Sequence, residues 1–342
     1  LTDPIEDRNQ SWEDYKKNYQ ATFVAKLLYP GNANYEVMPW PERIYTRPYS
    51  VAGREKKILI PKAYATQMQI MINALNDIQV SENKVSGDQG IAVAMSNSLM
   101  FQTFPNHDGY EDPNFSNFYG QTFPLLKRGI PLETVHLENL GYKSSLQNKK
   151  ILILSYSNMK PNNPEEHKYL AKWIKEGGVL VYTSADNDPY QQVEEWWNIG
   201  DFSYKKPIEH LTDLLHVDYP ENNKVYKAGK GKIYFIKQNP KDFVINKNGD
   251  ETFLNAINTA YAEVNNGKKL QYKNNFKLVR GVYELIATLD ESVSKVPVIT
   301  TGSYINLFDP ELPVISEKIT KPGEQSFLYN INSVEDKNKP QV

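Results

Sequence analysis

The chain has 342 residues, 23% charged and 40% hydrophobic, with a net charge of −2. That balance fits a folded protein of two or three domains and gives no basic field to hold a nucleic-acid backbone. There is no cysteine, which excludes disulfides, zinc–thiolate sites and a thiol nucleophile. It leaves the compartment open, with an exported protein favoured over a cytoplasmic one. No run of about 18 apolar residues is present, so no transmembrane helix is expected. The sequence starts at Leu1 without a Met or a signal peptide, as expected of a processed protein or a piece of a longer one. The 23 Tyr and 5 Trp suit sugar-binding surfaces, but a Tyr-rich core and rim is the plainer reading.

"SWEDYKKNYQATFVAKLLYP" predicts a first helix. Ser11 is a candidate N-cap, Trp12, Tyr15, Tyr19, Phe23 and Leu27 recur at helical spacing, and Pro30-Gly31 ends the run. "YEVMPW" (35–40) reads as a short strand. It would place Glu42 and Arg43 just beyond a strand end, with Trp40 beside them. "IPKAYATQMQIMINALNDI" (60–78) predicts a helix opened by Pro61, with an apolar stripe through Met68, Met71, Ile72 and Leu75. The polar stretch "VSENKVSGDQG" (80–90) marks a domain boundary.

Strands and helices then alternate. "GIAVAMSNSLMFQ" (90–102) is a strand, 114–129 a helix that Pro124 should kink or delay, and "IPLETVHLENL" (130–140) a strand. "KKILILSYS" (149–157) is a continuous apolar strand, buried on both faces. "NPEEHKYLAKWIKEGG" is a helix with Pro164 at its start, two Glu in its first turn and Gly177 at its end. "VLVYTSA" (179–185) is a second buried strand. "DPYQQVEEWWN" and "IEHLTDLLHV" read as short helices, "KVYKAGKGKIYFIKQNP" as a hairpin turning at Gly229–Gly231, and 250–264 as a closing helix. This order implies a parallel sheet covered on both faces, with ligand sites at the carboxyl ends of its strands. Those ends carry Ser96–Asn97, Ser155–Met159 and Ser184–Asp188. From about 268 onward, short alternating strands without helices predict an antiparallel β-sandwich.

The segments "GIAVAMSNS", "YGQTFPLLKRGIPLETVHLENL", "L…WIKEGGVLVY", "GKGKIYF…P" and "PG…FLYNI" together resemble multidomain glycoside hydrolases, in particular the family 42 β-galactosidases. In those enzymes a catalytic (β/α)8 barrel is followed by a flavodoxin-like, class I glutamine-amidotransferase-like trimerisation domain and a β-sandwich. The resemblance implies that residues 1–80 correspond to the last barrel segments, 88–265 to the amidotransferase-like α/β domain and 268–338 to the sandwich. It implies carbohydrate as ligand and, as partners, copies of the same chain (a trimer) or an upstream catalytic barrel. A full barrel needs roughly 200 residues or more, far more than precede the α/β domain.

Amidotransferase chemistry needs a Cys on a strand–helix turn with a His and a carboxylate to activate it. The corresponding turn is "VYTSADNDP", with Ser184 or Ala185 in the Cys position and no G-x-S-x-G elbow. Ser155, Ser157 and Ser184 therefore read as scaffold, Ser184 being the fallback nucleophile. A glycosidase needs two carboxylates about 5–10 Å apart. Glu42 is the fallback candidate, and Trp40, Glu42 and Arg43 could line a neighbouring sugar subsite. The loop "FPNHDGYEDPNFSNFYG" brings His107, Asp108, Glu111 and Asp112 to a strand end. It is a second sugar-lining candidate, with no calcium-loop spacing. "AGKGKI" lacks a nucleotide-binding frame. No cofactor or metal is expected. The reading is a non-catalytic assembly part of a carbohydrate-active hydrolase, with a stand-alone carbohydrate-binding adaptor and a Ser-dependent hydrolase as alternatives.

Overall fold

The computed structural model describes residues 9–36, 41–101 and 115–334. Two compact units emerge: Asp88–Gln271 is one, and Leu1–Gly87 with Tyr272–Val342 is the other. In chain order the latter opens with α1 (Trp12–Leu27), α2 (Pro41–Tyr45) and α3 (Lys62–Leu75). The α/β unit follows with β1 (Ile91–Met95), α4 (Ser98–Phe101), α5 (Ser116–Leu126), β2 (Glu133–His136), β3 (Ile151–Leu154), α6 (Pro164–Glu176), β4 (Val179–Thr183), α7 (Pro207–Leu215), β5 (Lys224–Ala228), β6 (Gly231–Ile236), α8 (Asp242–Ile245) and α9 (Glu251–Val264). The chain then closes the first unit with β7 (Asn275–Arg280), β8 (Tyr283–Thr288), β9 (Val298–Asn306), β10 (Val314–Thr320) and β11 (Gln325–Asn330).

The α/β sheet has the order β2-β1-β3-β4-β6-β5. All neighbours are parallel except β5, which pairs antiparallel with β6 at the edge. Side chains along a strand alternate between faces. A continuous apolar run such as "ILIL" therefore feeds two cores: Ile151 and Ile153 pack with α9 residues Phe253 and Ile257, while Leu152 and Leu154 pack with Leu170 and Ile174 of α6 and Leu211 of α7. Pro164 opens α6 and Gly177 ends it at φ 127, where the sequence places them; Asn163, not named as a cap in the sequence, accepts from the Glu166 N–H at its start. The hairpin turns at Gly229, φ 63.

Two local expectations change. Helix α5 runs through Pro124; with two residues remaining after it, the missing N–H removes one bond at the helix end without breaking it. The strand expected over 130–140 is only Glu133–His136, because Leu137–Asn139 turns into a 3-10 helix. Of the strand expected over 35–40, residues 37–40 lie outside the described residues; Pro41 opens α2 as a helix-starting proline does.

In the other unit, β10-β9-β11-β8-β7 form one antiparallel sheet. Its inner residues Leu278, Tyr283, Leu285, Phe327 and Tyr329 share a core with Tyr15, Tyr19, Phe23 and Leu27 of α1 and with Tyr64, Met68 and Met71 of α3. Much of the Tyr content is spent here. Arg280, buried at the end of β7, donates to the carbonyls of Leu27, Tyr29, Asn32 and Gln79 and to the Tyr35 hydroxyl. It thereby ties the end of α1 to the sheet. No helix among the described residues is long and apolar enough to cross a membrane.

Candidate functional site

The carboxyl ends of β1, β3, β4 and β6 bring together a layer of buried polar groups, built from loops that are distant in sequence. At its centre lie two of the sequence-predicted serines. Ser157 Oγ and Ser184 Oγ are 3.0 Å apart, and the Ser157 hydroxyl also donates to Asn239 Oδ1 at 2.9 Å. Ser184 Oγ accepts from the Asp186 N–H at 2.9 Å, and Asn239 Oδ1 accepts from the Ala185 N–H at 3.2 Å. Ser155 Oγ accepts from the Ser157 N–H. The Ser155 and Ser184 bonds to backbone N–H close local turns, the others join distant loops, and both central serines are buried. Neither hydroxyl has a histidine or carboxylate among its hydrogen-bond partners within the described residues, the contact that activates an oxygen nucleophile.

The nearest His pair serves a different network. The Tyr156 hydroxyl and His167 Nε2 share a hydrogen bond of 2.6 Å, and His167 Nδ1 lies 3.1 Å from His210 Nδ1. Trp196 packs edge-on against both rings. Burial, with the neighbouring His210, drives the His167 imidazole well below its ordinary pKa, so it stays neutral. His167 is fully buried, because α6 turns that side onto the sheet.

Lys160 and Asp188 form a buried ion pair beside the serines. The ammonium donates to both Asp188 oxygens at 3.0 and 3.1 Å and to the Tyr156 carbonyl at 2.6 Å. Burial lowers the Lys160 pKa and the Asp188 charge opposes that shift. Asp188 also accepts from the Tyr190 N–H and from Gln191 Nε2. A second pair, Lys237 to Asp186 at 3.1 Å, is completed by the Tyr182 hydroxyl at 2.6 Å. At the β1 end, Glu138 Oε1 accepts from the Ser96 hydroxyl, the Asn97 N–H and Asn162 Nδ2. Burial works to raise this carboxyl, but those bonds outweigh it and the net shift is downward. Asn162 also links it to Glu166, whose carboxyl is pushed up to about 7 by burial against the Asn162 N–H, with the Glu138 charge adding to the rise.

Of the other candidates, Glu42 is exposed and lies with Arg43 in α2 of the other unit. Trp40, His107, Asp108, Glu111 and Asp112 lie outside the described residues. No group of three His, Asp or Glu able to hold a metal ion exists among the described residues. Asp188 lies at one of the strand ends read from the sequence, whereas Lys160, Asn239 and His210 carry no local sequence signal. Each becomes part of a network only when the strand order juxtaposes the loops.

No family model and no curated protein sequence matches the chain. Among solved structures, the β-galactosidase from Bacillus circulans sp. alkalophilus is similar over 78% of this chain and 44% of its own, at 10% identity and a TM-score of 0.43. A family 42 β-galactosidase from G. stearothermophilus is similar over 78% of this chain and 43% of its own, at 13% identity and a TM-score of 0.45. The family 42 exo-carrageenase from Bacteroides ovatus gives 70% and 28%, 11% identity and a TM-score of 0.30. The chain thus spans less than half the length of these enzymes.

Proposed function

We propose that this chain is a non-catalytic assembly part of a carbohydrate-active glycoside hydrolase, its α/β unit an amidotransferase-like scaffold that holds copies of the chain, or a catalytic barrel, together. The observation that carries the reading is the closed Ser157–Ser184–Asn239 network, which occupies the expected nucleophile turn with no histidine or carboxylate bonded to either hydroxyl among the described residues. The parallel strands run in the order β2-β1-β3-β4-β6, which supports a flavodoxin-like scaffold, since that class orders its strands 2-1-3-4-5. The motifs "L…WIKEGGVLVY" and "PG…FLYNI" support the glycosidase link.

Two measurements test this reading. Light scattering after size exclusion is expected to give an oligomer, with three chain masses the leading value. A fluorophosphonate probe is expected to leave the protein unlabelled. A monomer in solution that recovers no carbohydrate-linked partner overturns the assembly role. Labelling that disappears in Ser184→Ala or Ser157→Ala restores a serine hydrolase.

A further inference from the structure

The loops after β4 enclose a cleft that an assembly role leaves unused. It measures about 650 Å³, within the usual range for small-ligand sites of about 300–1,000 Å³. It opens beyond the carboxyl end of a parallel strand, where α/β sheets bind ligands. Its walls carry four side-chain amides, Asn187, Gln191, Gln192 and Asn198, beside Tyr204.

Charge on the wall is largely spent. Asp188 is neutralised by Lys160 and Asp186 by Lys237. The Lys206 ammonium lies 5.3 Å from the ring centroid of Tyr219. Lys205 remains as an exposed cation on the rim. What the cleft offers is therefore mainly neutral amides next to an aromatic side chain. Asn198 bonds back to Val193 and Glu195, Asn187 Oδ1 accepts from Asn239 and the Tyr204 hydroxyl donates to Asp213. That leaves the exposed Gln192 amide and Gln191 Oε1 to meet a ligand. Hydroxyl groups match that surface, because each donates and accepts, as an amide does.

Gln191 adds a specific demand. Its Nε2 donates to Asp188 Oδ2 at 3.0 Å. A carboxylate only accepts, so the orientation of the amide is fixed by its partner. That leaves Gln191 Oε1 buried with no hydrogen-bond partner among the described residues. A buried acceptor without a donor is costly, and a hydroxyl entering the cleft supplies one.

We propose that this cleft is a binding site for a neutral saccharide, held by the amides of Gln191 and Gln192 with Tyr204 beside them, a sugar hydroxyl donating to Gln191 Oε1. This role adds to the assembly reading and does not depend on it, since it is measured on whatever oligomer the chain forms.

The test is titration calorimetry with lactose, cellobiose and maltose and a screen on an array of neutral glycans, with glucuronate and inorganic phosphate as anionic probes. Intrinsic fluorescence serves as a second readout, because Trp197 Nε1 donates to the Gln191 carbonyl at 3.3 Å behind the cleft wall. Saturable binding of at least one neutral glycan is expected. Gln191→Met and the exposed-site variant Gln192→Ala should each weaken it about five- to tenfold, the loss expected for one neutral hydrogen bond. Melting curves confirm that each variant folds, and Gln192→Ala keeps the test valid if Gln191→Met does not. The proposal is overturned if no neutral glycan binds, if both folded variants bind like the parent, or if only the anionic probes bind and added salt abolishes that binding.

Discussion

Asp188→Asn is expected to destabilise the α/β unit severely. In the parent, the Lys160 ammonium is buried and directs three hydrogen bonds, two to Asp188 and one to the Tyr156 carbonyl. The substitution removes the counter-charge and can turn an amide donor toward a group that only donates. It also takes away the carboxylate that receives Gln191 Nε2. Breaking a buried ion pair by removing one partner costs about 3–5 kcal/mol, because the remaining charge stays uncompensated. In a unit of this size that corresponds to a loss of about 10 °C in Tm. Replacing both partners with apolar residues of similar size, Lys160→Met with Asp188→Leu, should cost much less than the two single changes summed, since no stranded charge is left. Urea unfolding followed by Trp fluorescence reads the α/β unit, where Trp173, Trp196 and Trp197 lie. A single-variant loss below about 1 kcal/mol, or a double variant as damaged as the sum of the singles, would refute the reasoning.

Gly120→Ala should also destabilise, against the usual helix preference. A Cβ there would sit 2.0 Å from the Pro240 carbonyl oxygen, and the overpacking penalty of about 2 kcal/mol or more exceeds the gain of about 1 kcal/mol in helix propensity; an unchanged or raised Tm would contradict this. Arg280→Lys should cost about 3 kcal/mol in the other unit, because an ammonium cannot reproduce the planar fork that reaches Leu27, Tyr29, Asn32 and Gln79; urea titration checks it. Glu166 sets a pH dependence. Its carboxyl rises from 4.5 to about 7 in the folded protein, so between those values the native state holds a proton that the unfolded chain has released. Stability from this group is full below the lower value and falls as pH rises through the window, then stays flat above it. Glu166→Gln should flatten that slope, and a parent-like slope in the variant would assign it to another group.

Much of the scaffold was legible in the sequence because its signals are local. Helical periodicity marked α1, α3 and α6, end signals such as Ser11, Pro164 and Gly177 bounded them, and continuous apolar runs marked β3 and β4 as doubly buried. Those features depend on neighbours a few residues apart, which the chain carries wherever it goes. Pro124 misled for the same reason: a local rule was read without knowing where the helix ended. The polar layer was not legible. Lys160 and Asp188, Ser157 and Asn239, and His167 and His210 are separated by tens of residues and match no spacing pattern, and whether a lysine or histidine is solvated or buried depends on what packs over it. The sequence by itself determined the alternating α/β order, the antiparallel strands that follow it and the absence of thiol chemistry. Only the tertiary structure decided that, among the described residues, Ser157 and Ser184 bond to each other, that the N-terminal helices and C-terminal strands share one core, and that an amide-lined cleft opens after β4. Hydrogen bonding and desolvation act through space, and the strand order fixes which distant loops meet.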